Sequence, residues 1–332
     1  REERKDRIMQ TETFTDRVAC PKCSQESDVQ VMPFIDGSDP DQREKFFTGA
    51  VNVFRCDSCG TEMMLSSLFE YVDPNLGIAL ASMPEAAIGH DEFLADFADD
   101  GSLLYSDRSD DDLALLPLFL RHRRIVFSYA ELLLQAEARI LRLVTKADEK
   151  QGINLPWKAG DTVSQTVTHT CIACKQPFEQ EMIVAADVSA KPELREQLAE
   201  QRFNAAPCPH CGQVQLIDSA PILWHDPEHF FSVVYYPFGP DRAAKDGILN
   251  AAGMVACERI PGSSSSGFAA TLAAFTPHEF YHRFLFHEGL AKRQAEKGPT
   301  APRTVTPLSE EDARKALEAR FGPGGEHGPS VN

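Results

Sequence analysis

The sequence has little positive charge for its length. Its 332 residues include 33 Lys and Arg against 50 Asp and Glu, which gives a formal net charge of −17 at pH 7. Proteins that bind nucleic acids or anionic membranes non-specifically present a basic face, so this excess of acidic residues argues against both classes. The sequence also lacks any run of about 18 consecutive apolar residues, the pattern typical of a membrane-spanning helix. We therefore expect no membrane insertion.

Several motifs of common enzymes are missing too. There is no P-loop, no glycine-rich Rossmann fingerprint and no GxSxG nucleophile motif. The N-terminal residues contain no apolar signal-peptide core, which favours a location in the bacterial cytoplasm. A chain of this length typically forms two domains, and 42% hydrophobic residues are ordinary for a globular protein.

Cysteine, by contrast, occurs in a regular pattern. Eight of the nine cysteines form four CxxC pairs, with 32 residues between the first and second pairs and 33 between the third and fourth. The same arrangement is used twice, and the two copies are about 151 residues apart. The paired residues are Cys20, Cys23, Cys56, Cys59, Cys171, Cys174, Cys208 and Cys211.

Four CxxC pairs at this spacing are typical of metal ligation. A disulfide framework is a poor alternative for a long chain with an odd cysteine and no secretion signal, and a redox-active CxxC usually occurs alone. Two facing CxxC pairs place four thiolates around one tetrahedral Zn²⁺. A four-cysteine site leaves no position for water or substrate, so its ordinary role is structural. The sequence therefore predicts two structural Zn²⁺ ions, one in each copy.

The repeat extends beyond the cysteines. Each copy contains strand-like segments, a short polar helix that starts at a proline (40–48 and 192–201), and an Asp-Pro turn followed by a further apolar strand. A glycine follows the second CxxC pair of each copy, Gly60 and Gly212, as expected where the chain turns tightly around the sulfur atoms.

A longer amphipathic helix is predicted near the end of each copy, over residues 125–144 and 276–292. The fold class is therefore α+β, with two tandem zinc-ribbon-like β units that are each followed by a packing α-helix. Both helices start at residues with capping-box spacing. These residues are Ser128 with Glu131 and Thr276 with Glu279.

The pattern resembles the CpXC domain family of bacterial and archaeal proteins, over roughly residues 17–150 and 165–297. The residues that carry the resemblance are Cys20-Pro21-Lys22-Cys23 and Cys208-Pro209-His210-Cys211, while the other two CxxC pairs lack the proline. Proline is not a ligand, so this departure leaves metal binding intact. The resemblance implies a fold and a bound metal, and it implies no particular reaction.

Domain boundaries follow from these segments. We expect an N-terminal segment over residues 1–16, a first zinc-ribbon domain over 17–150, a second over 151–297, and a flexible tail over 298–332. The tail is rich in Pro, Gly and Ser, and one short helix is predicted within it over residues 308–321.

Other segments have mostly structural interpretations. The acidic stretch 85–112 is expected to be a solvated loop or loose helix, with an acidic docking surface or a loose cation site as the alternative. Residues 262–267 (GSSSSG) predict a flexible loop, and Cys257 predicts a small core side chain. The histidines expected to be exposed or hydrogen-bonded rather than functional are His225, His229 and His287.

One motif favours an enzyme. His278-Glu279-x-x-His282 is an HExxH sequence, which on a helix can bind Zn²⁺ through the two histidines with the glutamate as general base. Against this, Glu279 already serves the capping box that starts at Thr276, and the metzincin third-ligand position is occupied by Glu288. If Glu279 only caps the helix, its replacement by Gln is expected to cost little stability.

The function that fits best is a non-catalytic zinc-binding interaction or scaffold protein with two structural four-cysteine sites and a protein partner of unknown identity. The first alternative is a zinc metallopeptidase using His278, Glu279 and His282. The weaker alternative is a nucleic-acid-associated zinc-ribbon protein, which the net negative charge disfavours.

Overall fold

The computed structural model describes residues 13–65, 69–106, 108–121, 123–145, 153, 160–229, 231–250, 253–258, 268–301, 305, 312 and 315. These residues form two compact units. The first consists of the described residues within Arg1–Ala87, Ser102–Leu133 and Pro302–Asn332, and the second of those within Ile88–Gly101 and Leu134–Ala301.

Each unit combines helices with hairpins and a mixed sheet, so the α+β fold class predicted from the sequence is confirmed. Short 3₁₀ helices also occur at Glu85–Ala87 and Pro227–His229. In chain order the other elements are β1 (Phe14–Ala19), β2 (Glu26–Val31), β3 (Phe34–Asp36), α1 (Pro40–Phe47), β4 (Val53–Arg55), β5 (Glu62–Met64), β6 (Phe69–Asp73), β7 (Ile78–Ser82), α2 (Asp91–Leu94), α3 (Asp110–Leu115), α4 (Leu118–Arg121), β8 (Arg124–Val126), α5 (Tyr129–Thr145), β9 (Thr162–Thr170), β10 (Pro177–Asp187), α6 (Glu193–Ala199), β11 (Ala205–Pro207), β12 (Val214–Leu216), β13 (Ile222–Asp226), β14 (Phe231–Tyr235), α7 (Gly239–Lys245), β15 (Val255–Glu258), β16 (Phe268–Ala274) and α8 (Pro277–Lys297).

The first unit contains a four-stranded sheet and two separate hairpins. The sheet has the order β3-β6-β7-β8, in which only the β6–β7 pair is antiparallel. The hairpins β1–β2 and β4–β5 carry the CxxC pairs, and each is a separate two-stranded sheet. Helix α1 packs on the sheet because Phe46, which is fully buried, stacks on Tyr71 of β6 with 4.0 Å between ring centroids.

The second unit has a six-stranded sheet in the order β15-β16-β14-β13-β10-β9. Its four central strands repeat the order and the directions of the first sheet, since β10 is parallel to β13, β13 is antiparallel to β14, and β14 is parallel to β16. The β9–β10 hairpin carries the third CxxC pair, and the same strand β10 then continues into the sheet. The two units are thus two versions of one topology.

Both faces of the second sheet are covered. Successive residues of a strand point to opposite faces, so Trp224 and Val233 lie in one core with α8, and Leu223 and Val234 lie in another. That second core is completed by α7 and by the part of α5 from Leu134 onward, which belongs to this unit.

Some predicted elements differ from the structure. The helix predicted over residues 125–144 begins later, at Tyr129, because residues 124–126 form the edge strand β8. The predicted helix 276–292 extends further, to Lys297. The acidic stretch 85–112 contains α2 and the start of α3 in addition to loops.

Several predictions concern residues that the structure does not describe. The loop 262–267 lies outside the described residues, as does most of the tail with its predicted helix 308–321. Cys257 lies on β15 opposite Ala269, and the expectation that its side chain is buried stays a prediction. The domain boundaries proposed from the sequence also stay predictions. None of the helices in the described parts of the chain combines the length and the hydropathy that a bilayer crossing requires.

Candidate metal centres

Each CxxC pair forms the same tight turn. The carbonyl of the first cysteine accepts a hydrogen bond from the backbone N–H four residues later, at 2.8–2.9 Å in all four turns. That fourth position has a left-handed backbone, as predicted for Gly60 (φ 69°) and Gly212 (φ 75°). In the other two turns it is occupied by Ser24 (φ 60°) and Lys175 (φ 61°), which sequence analysis did not identify.

The turns bring the eight paired cysteines together in two groups of four, as their spacing predicts. Within each group all four sulfur atoms lie within 4.8 Å of one another. The closest contacts join one cysteine of each pair across the group, and they measure 3.6 Å for Cys20–Cys59 and 3.5 Å for Cys23–Cys56. In the second unit the contacts are Cys171–Cys211 at 3.6 Å and Cys174–Cys208 at 3.7 Å.

These distances fit a tetrahedral thiolate site. A disulfide would require about 2.05 Å between the sulfur atoms, so no pair is bonded. Four sulfurs at about 2.3 Å from a central ion lie roughly 3.8 Å apart, close to the observed contacts. The groups combine buried cysteines (Cys20, Cys56, Cys171 and Cys208) with more accessible ones, so an ion can enter from solvent.

Within each group, the pKa is lowered for some cysteines and raised for others. The hydrogen bond with the Thr61 hydroxyl lowers the pKa of Cys59 to about 6, and the backbone N–H of Cys174 lowers the pKa of Cys171 to about 6. The backbone N–H of Gln25 lowers the pKa of Cys23, but the contact with the Cys56 thiol, burial, and the contacts with the Cys20 and Cys59 thiols together outweigh it and raise this pKa to about 12. The thiolate is the form that binds metal, so the cysteines with a lowered pKa are ready to act as ligands near neutral pH, and thiolates select soft ions such as Zn²⁺.

An asparagine links the two hairpins of each ribbon. Asn52 is buried, and its side chain accepts a hydrogen bond from the Met32 N–H (2.7 Å) and donates one to the Met32 carbonyl (3.0 Å). Asn204 makes the same two contacts with Ile183, both at 2.9 Å. Both asparagines have φ near 53° and stand four residues before a CxxC pair. An asparagine at this same position in both copies is the sequence pattern from which the two residues could have been predicted.

The HExxH segment lies on α8 in the second unit. The Glu279 side chain is fully buried, and its carboxylate accepts hydrogen bonds from the Phe275 N–H (2.8 Å), Gln135 (2.6 Å) and Arg283 (3.0 Å). The Thr276 hydroxyl caps the helix by accepting from the Glu279 N–H at 3.0 Å, as predicted. A carboxylate with three donors is poorly placed to serve as a general base.

Of the other histidines singled out in the sequence, two are buried. Nδ1 of His225 lies 2.7 Å from the Ser232 hydroxyl, and His287 stacks on Phe231 with 4.5 Å between the rings. Burial lowers the pKa of His287 to about 4, so this side chain is neutral near pH 7. His229 instead lies against two carboxylates.

The comparison with known families fits this geometry. The model of the CpXC protein family matches residues 18–133 and 169–264, which together are more than half of the chain and contain all eight paired cysteines. The chain therefore belongs to the CpXC family and contains two tandem segments of it. No curated protein and no solved structure matches the chain.

Proposed function

We propose that the chain is a non-catalytic zinc-binding interaction module in which each four-cysteine group holds one structural Zn²⁺. The observation that carries this proposal is the pair of four-thiol groups, whose sulfur contacts of 3.5–3.7 Å leave no place for a ligand other than sulfur around a central ion. A site of this kind supplies folding free energy rather than a reactive water. The proposal places the chain in a reducing compartment such as the bacterial cytoplasm, where thiols stay free to bind metal.

Exposed apolar side chains on the ribbons support a protein partner. On the second ribbon, Ile172 is 67% exposed, Val214 59% and Leu216 37%, and on the first ribbon Phe14 and Val53 are also exposed. Contiguous apolar patches that remain in water mark protein interaction sites, and Val214 and Leu216, two residues apart on β12, lie on the same face of that strand. The net charge of −17 favours a partner with a basic surface over a nucleic acid.

A metal count on purified protein tests the zinc assignment. We expect two tightly bound zinc ions per wild-type chain by elemental analysis, and one in each of the variants Cys20→Ser and Cys208→Ser, because each variant removes one ligand from one group. Thr61→Ser, which keeps the hydroxyl beside Cys59, is the matched control and should retain both ions. Two tightly bound ions in either cysteine variant would contradict the assignment.

The number of zinc ions per chain also distinguishes the metallopeptidase alternative from a non-catalytic role. It requires a third zinc that disappears in His282→Ala and an activity that disappears in Glu279→Gln. Glu279 is already surrounded by three donors, so we expect His282→Ala to keep the wild-type number of ions.

A further inference from the structure

Three side chains with metal-ligating atoms converge in the second unit at the end of β13. Asp226 closes this strand, His229 ends the 3₁₀ helix that follows, and Glu288 lies on α8. Nδ1 of His229 lies 3.3 Å from Oδ2 of Asp226 and 2.7 Å from Oε1 of Glu288. Nitrogen and oxygen ligands at about 2.1 Å from one ion are roughly 3.0–3.4 Å apart. The three atoms are thus close to the spacing that a shared ion requires.

The contact between His229 and Glu288 is a short ion pair when His229 is protonated, and it raises the pKa of His229, but its geometry is not that of an aligned hydrogen bond. Nδ1 of His229 and Oε1 of Glu288 are both buried atoms, and neither has a hydrogen-bond partner within the described part of the chain. Buried polar atoms without partners are uncommon in folded proteins. An ion between these two atoms would satisfy both of them.

The local charge also favours a cation. Arg195 of α6 donates two hydrogen bonds to the buried Asp226 carboxylate, at 2.6 and 2.7 Å, and one to Glu228 at 2.8 Å. With Glu288 included, three carboxylates surround one guanidinium. This leaves two negative charges uncompensated when His229 is neutral, and one divalent ion balances them. Arg195 also fixes the orientation of Asp226, as outer-shell partners of metal ligands do.

The first unit provides an internal comparison. Arg43 and Asp73 stand at the positions of Arg195 and Asp226, and their side chains are 3.9 Å apart. The arginine–aspartate pair is therefore part of the shared fold. His229 follows Asp226 by three residues, and the residue at that distance from Asp73 in the first copy is Leu76. Glu288 follows Glu279 by nine residues, and the residue at that distance from Glu131 is Ile140. Only the second copy adds an imidazole and a carboxylate to the pair.

We propose that Asp226, His229 and Glu288 bind one divalent transition-metal ion, separate from the two four-cysteine groups. The site supplies one nitrogen and two oxygen atoms, a set that suits Mn²⁺, Fe²⁺ or Zn²⁺, whereas the thiolate groups select Zn²⁺. The side chains of His229 and Glu288 are 20% and 34% exposed, so the ion can exchange with solvent and keeps open coordination positions. Binding is therefore weaker than at the closed four-cysteine groups.

Mn²⁺ titration of the zinc-loaded full chain, followed by the loss of the free-ion electron paramagnetic resonance signal, tests the site. Mn²⁺ is used because it competes poorly for thiolates. We expect one Mn²⁺ per wild-type chain and affinity at least about tenfold lower in His229→Gln and Glu288→Gln, since even outer-shell losses typically cost that much. Zinc measured on the same samples should be unchanged, which separates this result from the assignment of the thiolate sites.

Glu228→Gln is the matched control. It removes the same charge and a contact of the same arginine, but Glu228 is not among the three converging ligands. Its Mn²⁺ affinity should stay within about threefold of wild type, as expected for a screened exposed charge. Equal weakening in Glu228→Gln and Glu288→Gln would show diffuse attraction to an acidic surface and would overturn the proposal. Absence of Mn²⁺ binding to wild type, or loss of the ion in His282→Ala, would also overturn it.

Discussion

Glu279 shows how burial changes the role that a sequence motif assigns to a residue. The sequence identifies it both as part of HExxH and as the third residue of a capping box. In the structure its carboxylate bonds the N–H of Phe275, the residue before the cap, and pairs with Arg283 inside the core. The side chains of this pair are 0% and 6% exposed, so the ion pair is hardly screened by water.

We therefore expect Glu279→Gln to destabilise the protein by about 3 kcal/mol, because it leaves the Arg283 guanidinium buried without its anion. This differs from the small cost expected from the sequence alone. Chemical denaturation of the zinc-loaded protein measures the effect. In the double variant Glu279→Gln/Arg283→Met the unpaired charge is gone, so the double variant should be more stable than Glu279→Gln. A loss below about 1 kcal/mol for Glu279→Gln would show that the pair contributes little.

At the scale of elements, an asparagine side chain connects the two hairpins of each ribbon. The side-chain amide of Asn204 forms hydrogen bonds with both the N–H and the carbonyl of Ile183, as a paired strand residue would. Its left-handed backbone is also unusual for a residue other than glycine. The side chain and the backbone thus make separate contributions, which two substitutions can distinguish.

We expect Asn204→Ala to lower the free energy of unfolding by about 1–3 kcal/mol, since two hydrogen bonds are lost and partly buried backbone groups remain. Asn204→Gly loses the same bonds but accepts the left-handed backbone, so it should be less destabilising than Asn204→Ala. Asn75→Ala, at an exposed position in the first unit, is the control and should change stability by less than about 0.5 kcal/mol. Denaturation curves at saturating zinc give all three values, and an Asn204→Ala curve that matches the control would exclude the proposed link.

The elements that local chemistry specifies could be predicted from the sequence. The tight CxxC turns, helix α1 after Pro40 and both helix caps depend on residues close together in the chain. Strand β8 could not be predicted, because its apolar residues Ile125 and Val126 fit a helix equally well and become a strand only by pairing with β7. The contact of His229 with Glu288 was missed for the same reason, since it depends on tertiary packing of α8.

At the scale of the whole molecule, the two ribbons differ in how they join their sheets. The first ribbon has a small core of its own, in which two of the five buried residues are Cys20 and Cys56, which we propose as metal ligands. In the second unit β10 continues from the ribbon into the sheet, and Cys171 and Cys208 belong to the main core. We therefore expect the first ribbon to depend more on its proposed metal than the second does.

We expect chelation of zinc to lower the thermal midpoint of the whole protein and to release the first ribbon before the second. Hydrogen exchange with increasing chelator should show loss of amide protection in β1, β2, β4 and β5 first, while β6 and β7 stay protected as the internal control. An unchanged melt of the metal-free protein would contradict a structural role for the ions. Earlier loss of protection in β9 and the first half of β10 would contradict the difference between the ribbons.

The way helices cover the second sheet sets an order for its assembly during translation. The part of α5 from Leu134 onward leaves the ribosome before any strand of this sheet, so Ala138 is available to cover one face as soon as Leu223 and Val234 emerge. Phe280 and Phe284 cover the opposite face, and they lie on α8, which is synthesised after every strand. The nascent second unit therefore keeps one apolar face in water until its last helix is complete, and until then this face is prone to aggregation.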